Sequence, residues 1–345
     1  MTTTRCGYEL SDVRKSLRDA IDRRDVRAAH RWAAEFVVTP SAVGSLWAAY
    51  WMAWSIIQTG PSLPILLRQS WDTIADMAHT LDGDWTAFRN EPEVRTLVTE
   101  MTLRFLNYPR QTPMVWPTKE IVVYDVAAMK TSPIPSVTDG PVVLGVWQRN
   151  DDSLELRFMA GRFIAAIESG DLRSGLSAVA WSFLPQKPLP IKCAERGPAS
   201  ITAKMRASPL WFWLELGGNW LRSRQDIHAG WATMHTSVES AFRDHYKRWT
   251  PVDRMKLLLC WILQLRASMV PGTSWTASSI HIHPSEVDLP YKEIAAELAD
   301  PDSVLRKHRE KDEGEGEDDD EKTRKARSEK KMADADAIVL ASYGM

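Results

Sequence analysis

Two stretches far apart in the chain read as one phrase: DAIDRRDVRAAHRWAAEFV near the start and IAAIESGDLRSGLSAVAWSFL at residues 164–184. Each sets apolar residues at helical spacing, passes through a short acidic turn, and resumes the same spacing. In the first, Leu17, Ala20 and Ile21 lead to Val26, Ala29, Trp32, Ala33, Phe36 and Val37, with Ser11 or Asp12 as the expected N-cap. Asp25-Val26-Arg27 stands beside Asp171-Leu172-Arg173, and Ala20-Ile21 beside Ala166-Ile167. A helix pair of this kind must bury each apolar stripe against further helices, so the expected fold class is all-α.

The correspondence continues along the chain. SPLWFWLELGGNWL follows the second phrase as GSLWAAYWMAWSI follows the first. DIHAGWATMHTSVESAF then stands where ILLRQSWDTIADMAHTL stood, and TPVDRMKLLLCWILQLRA where EPEVRTLVTEMTLRFL stood, with Pro92 and Arg95 matching Pro251 and Arg254. Preserved order over four elements indicates an internal duplication. The expected division is a helical repeat at 1–106, a Pro-rich linker with a small β element at 107–152, and a second repeat at 153–304. That second repeat carries a Pro-rich insertion at 185–198, and a charged tail fills 305–345. The β element rests on the runs EIVVYDV and VVLGVW. Helices are expected from Ser41 or Ser45 to Ile57, Leu63 to Leu81, Glu93 to Leu106, Leu154 to Ser169 and Leu172 to Leu184.

Composition narrows the function classes. A chain of 345 residues suits two domains, and its net charge of −2 gives no general attraction to nucleic acid or anionic membrane. Cys6, Cys193 and Cys260 are odd in number and widely spaced, which fits an intracellular reducing compartment rather than a disulfide framework. The N-terminus has no apolar signal-like run, and LWAAYWMAWSII and MKLLLCWILQL are too short to span a bilayer, so no membrane partner is expected. There is no GxxxxGK[ST], no GxGxxG after a strand, no GxSxG and no HExxH, and no cofactor is expected.

Three features remain as candidate sites. The chain holds 16 tryptophans, and Trp47, Trp51 and Trp54 share one helix face. Trp211, Trp213 and Trp220 occupy the corresponding helix. These rings suit a core or a subunit interface; a stacking platform for bases is the alternative, though no Arg or Lys is interleaved with the first set. The segment SSIHIHPSEVD places His281 and His283 on one face of a strand, with Glu286 and Asp288 following, a ligand set fit for zinc or a non-haem metal. The tail runs from an acidic block, Asp312 to Glu321, into a basic block containing Lys322, Arg324, Lys325, Arg327, Lys330 and Lys331. Such blocks do not fold by themselves, and the basic one is a candidate nuclear-import or nucleic-acid contact. The apolar end DAIVLASYGM is a candidate docking segment.

LRDAIDRRDVRAAHRWAAEFV followed by SLWAAYWMAWSI resembles the helical C-terminal collar of clamp-loader-type ATPases and their MgsA-like relatives. The likeness covers residues 11–106 and, more faintly, 154–268; the ATPase core and its phosphate loop are absent. The resemblance implies a non-catalytic element of oligomer packing, used with other proteins in DNA replication or genome maintenance. A metal-dependent enzyme and a nucleic-acid-binding module acting through the basic tail are the competing expectations.

Overall fold

The computed structural model describes residues 3–57, 61–108, 149, 151–183, 191–224, 226–268, 280 and 282–299. The helices are α1 (Leu10–Arg23), α2 (Val26–Val38), α3 (Val43–Ile57), α4 (Ser62–Thr80), α5 (Trp85–Asn90), α6 (Pro92–Asn107), α7 (Leu154–Ser169), α8 (Leu172–Trp181), α9 (Ala203–Arg206), α10 (Pro209–Ser223), α11 (Gly230–His245), α12 (Pro251–Ala267) and α13 (Pro284–Ala299). The protein is all-α: the described residues hold no strand beyond an isolated antiparallel bridge between Thr3 and Glu9. The expected β element at 107–152 lies almost wholly outside the described residues, as does the tail.

Two compact units form. One holds α1–α3, α4 from Leu66 onward, α5, α6 and α13; the other holds α7–α12. In the first, α2 packs on α1, α3, α6 and α13; in the second, α7 and α8 pack on each other and on α12. The sequence division kept 153–304 together, whereas α13 joins the first unit by packing on α2 and α6. Its apolar anchors, Tyr291 and Ile294, find their burial there.

The duplicated phrase has one local geometry in both places. α1 ends on Arg24 in the left-handed region (φ 56°), and the Asp25 N–H reaches back to the Ala20 carbonyl at 2.9 Å. α7 ends on Gly170, also left-handed (φ 82°). Asp25 then caps α2 by accepting from the Ala28 N–H at 3.0 Å, and Asp171 caps α8 by accepting from the Ser174 N–H at 3.1 Å. The buried faces match in register: Val13 with Met159, Leu17 with Phe163, Ala20 with Ala166, Ile21 with Ile167, Ala29 with Gly175, Ala33 with Val179.

Several sequence expectations need adjustment. α1 starts at Leu10 behind Glu9, so neither Ser11 nor Asp12 is its N-cap. α8 stops at Trp181, three residues early, and α5 was not anticipated. The latter forms because Asp84 accepts from both the Thr86 and Ala87 N–H groups, closing a short turn over the buried Phe88.

Candidate functional site

The tryptophan stripe is core. Trp47, Trp51, Trp54, Trp211, Trp213 and Trp220 are all buried, so none offers an open face for a base or a partner. On α3, the Trp47 indole N–H donates to the Leu67 carbonyl at 3.1 Å, and Trp51 meets Trp54 edge-on with centroids 5.7 Å apart. Between them Tyr50 stacks on Phe105 of α6 and its hydroxyl lies 2.7 Å from that of Thr102. On α10, the Trp213 N–H reaches the Ser182 hydroxyl at 2.7 Å, which satisfies the donor that burial would otherwise orphan.

Of the proposed metal ligands, those among the described residues form no cluster. His281 lies outside the described residues. Residues 282 and 283 are followed at once by a helix, so Glu286 and Asp288 sit on α13 rather than along a strand. The Glu286 carboxylate accepts the His283 backbone N–H at 2.8 Å, a capping-box bond. Asp288 faces Arg95 at 3.8 Å. Among the described residues no three His, Cys, Asp or Glu side chains cluster as a metal would require. The tail residues Lys322, Arg324, Lys325, Arg327, Lys330 and Lys331 lie outside the described residues.

Each unit instead builds an arginine–carboxylate node. In the first, Glu35 of α2 is fully buried; its carboxylate accepts the Cys6 backbone N–H at 3.1 Å and pairs with Arg31 at 2.8 Å. Arg31 turns its other nitrogen to Glu297 of α13 at 2.5 Å, and the Tyr8 hydroxyl donates to the same carboxylate at 3.1 Å. In the second, Arg196 grips Asp152 and Glu215 and lies over the Phe212 ring at 5.1 Å. Burial by itself would raise the Asp152 carboxyl; the Arg196 hydrogen bonds and the Ala194 and Arg149 N–H groups outweigh it and hold it below its ordinary value. The neighbouring Cys193 thiol is pushed up to about 12, chiefly by burial and against the pull of Arg196, which favours its protonated form. Arg196 falls inside the stretch that sequence reasoning set aside as a Pro-rich insertion.

A further polar surface is the one α13 covers. Arg27 on α2 meets Glu293 at 2.7 Å, and Arg95 on α6 stacks over the Tyr291 ring at 4.4 Å while facing Asp288. The sequence missed α13 although HPSE carries its start signal: an N-cap, Pro at the first helical position, and Glu at the third. The alternating histidines masked it. The second unit holds a different oddity. His235 is buried over Gly218, where a Cβ would come within 2.1 Å of its Nε2, and neither ring nitrogen has a hydrogen-bond partner. Burial lowers its pKa to about 4, with Glu239 opposing and Arg222 assisting.

No described helix is long and apolar enough to cross a membrane. Compared with known proteins, the chain matches no family model, no curated protein and no solved structure.

Proposed function

We propose that the chain is a non-catalytic helical assembly protein, acting with other proteins as an accessory of DNA replication or genome maintenance in a reducing compartment. One observation carries the assembly reading. The helix pair that resembles an oligomer-packing collar occurs twice, and both copies share the left-handed helix end, the Asp cap and the register of buried residues. Paired helical modules of this kind serve as platforms, because each presents a rigid outer face while its inner stripe is committed to the core. The replication context comes from the resemblance itself.

The test is light scattering and native mass spectrometry of the full chain, with proximity labelling from the full chain in its own cells. A defined oligomer or stable complex, together with enrichment of replication or repair proteins over a matched control, is the expected result. A monomer that enriches none of them overturns the reading. Stoichiometric zinc or iron in the purified protein would instead favour an enzyme built around His281, His283, Glu286 and Asp288. DNA binding that weakens steeply with salt and vanishes on removal of 305–345 would favour the nucleic-acid module.

A further inference from the structure

Residues 284–299 bind the first unit through charge of a consistent sign. Among the described residues, α2 and α6 supply Arg27, Arg31 and Arg95, and α13 supplies Glu293, Glu297 and Asp288. The contact has an apolar part as well, resting on Pro290, Tyr291 and Ile294. It is also imperfect, since the buried Tyr291 hydroxyl has no hydrogen-bond partner. The outer ion pairs stand in water, with the Arg27 side chain 79% exposed and that of Asp288 53% exposed. Pairs of that kind hold weakly and are screened by salt.

We propose that this arginine-lined face of α2 and α6 is a receptor for an acidic amphipathic helix, and that a second copy of the chain can fill it with its own residues 284–299. The inference rests on the assembly reading and names a surface for it. Helix exchange of this kind preserves every contact the resident helix makes, so the exchanged form differs from the closed one mainly in chain connectivity. Connectivity permits it. Sixteen residues, 268–283, separate α12 from α13, and a chain of that length spans up to about 55 Å.

Two full-length variants test it by charge exchange. Arg27→Glu with Arg95→Glu reverses the receptor and keeps the helix; Glu293→Lys with Asp288→Lys reverses the helix and keeps the receptor. Arg31 is left alone because it also neutralises the buried Glu35. Each variant repels its own helix, and only a mixture offers opposite charges across both contacts. Native mass spectrometry of the mixture should show a heterodimer at least about tenfold tighter than either self-association, weakened about tenfold on going from about 0.05 to about 0.5 M salt. Two folded variants that remain monomers when mixed overturn the inference. A wild-type oligomer that neither variant alters overturns it too, yet leaves the assembly reading standing. Should circular dichroism show either variant unfolded, a labelled peptide of residues 283–299 is titrated into the wild-type full chain. Salt-sensitive binding that a scrambled peptide lacks supports the receptor; equal binding by both peptides overturns it.

Discussion

The first helix pair turns on Arg24 and the second on Gly170, yet the two turns share a left-handed backbone and an aspartate cap. The difference lies in what surrounds them. In the first unit the bulk sits on α3 itself, where Trp47, Trp51 and Trp54 fill the core. In the second, α10 concedes space: Gly217 and Gly218 let Trp261 of α12 and His235 of α11 lie directly against its backbone, where any Cβ would collide with a ring. One local phrase therefore supports two ways of filling the space beside it. What is repeated is the turn and its buried register. The polar nodes are not repeated, since Arg31 and Glu35 share one helix while Arg196 and Asp152 are brought together from outside α7 and α8.

Breaking the second node is one way to tell the units apart. Asp152→Ala leaves a buried Arg196 without its inner partner, and a loss of about 3–5 kcal/mol is expected. Because Glu215 remains beside the guanidinium, the figure should fall toward the lower end. Chemical denaturation should show the second unit unfolding first; coincident loss of both units would mean that they fold as one.

Trp51→Ala tests the first unit in the same currency of stability. Its ring is buried among α3 neighbours and makes an edge contact with Trp54, so truncation should cost about 3–5 kcal/mol. Little change in denaturation midpoint would show that the stripe is not core after all.

Acid sharpens the contrast further. The unfolded chain protonates a histidine near pH 6.5, whereas native His235 resists until about pH 4. Between those values the unfolded state binds more protons, so stability is full above about pH 6.5 and falls as the pH drops toward 4. The slope from this residue is at most about 1.4 kcal/mol per pH unit. His235→Leu should flatten it in pH-dependent melts of the second unit, and an unchanged slope would assign the acid sensitivity elsewhere.

Two glycines give the smallest effects, of opposite sign. Gly170→Ala forces a side chain into the left-handed region and should destabilise by about 1 kcal/mol. Gly175→Ala places a methyl group at ordinary contact distance, 3.6 Å from Ala166, where the first unit already has Ala29. It should stabilise by about 0.5–1 kcal/mol. Thermal melts distinguish the two, and a loss at Gly175 would show that the second pair is packed more tightly than the first.

The sequence by itself determined most of the helices and the turn that two of the pairs share. Period, cap and turn are set within a few residues of the chain, so Asp25 and Asp171, or the Ala20-Ile21 and Ala166-Ile167 faces, could be read directly. It also placed Trp47, Trp51 and Trp54 on a single face, and core was among the roles that placement allowed. Only the tertiary structure decided what meets across long separations. It moved α13 from the second half to the first, drew Arg196 out of a Pro-rich stretch onto Asp152, and gave Glu286 to a helix cap and Asp288 to an arginine. Periodicity records which side of a helix is apolar, but the partner of a charge is fixed by the packing of distant segments, and no local pattern encodes it.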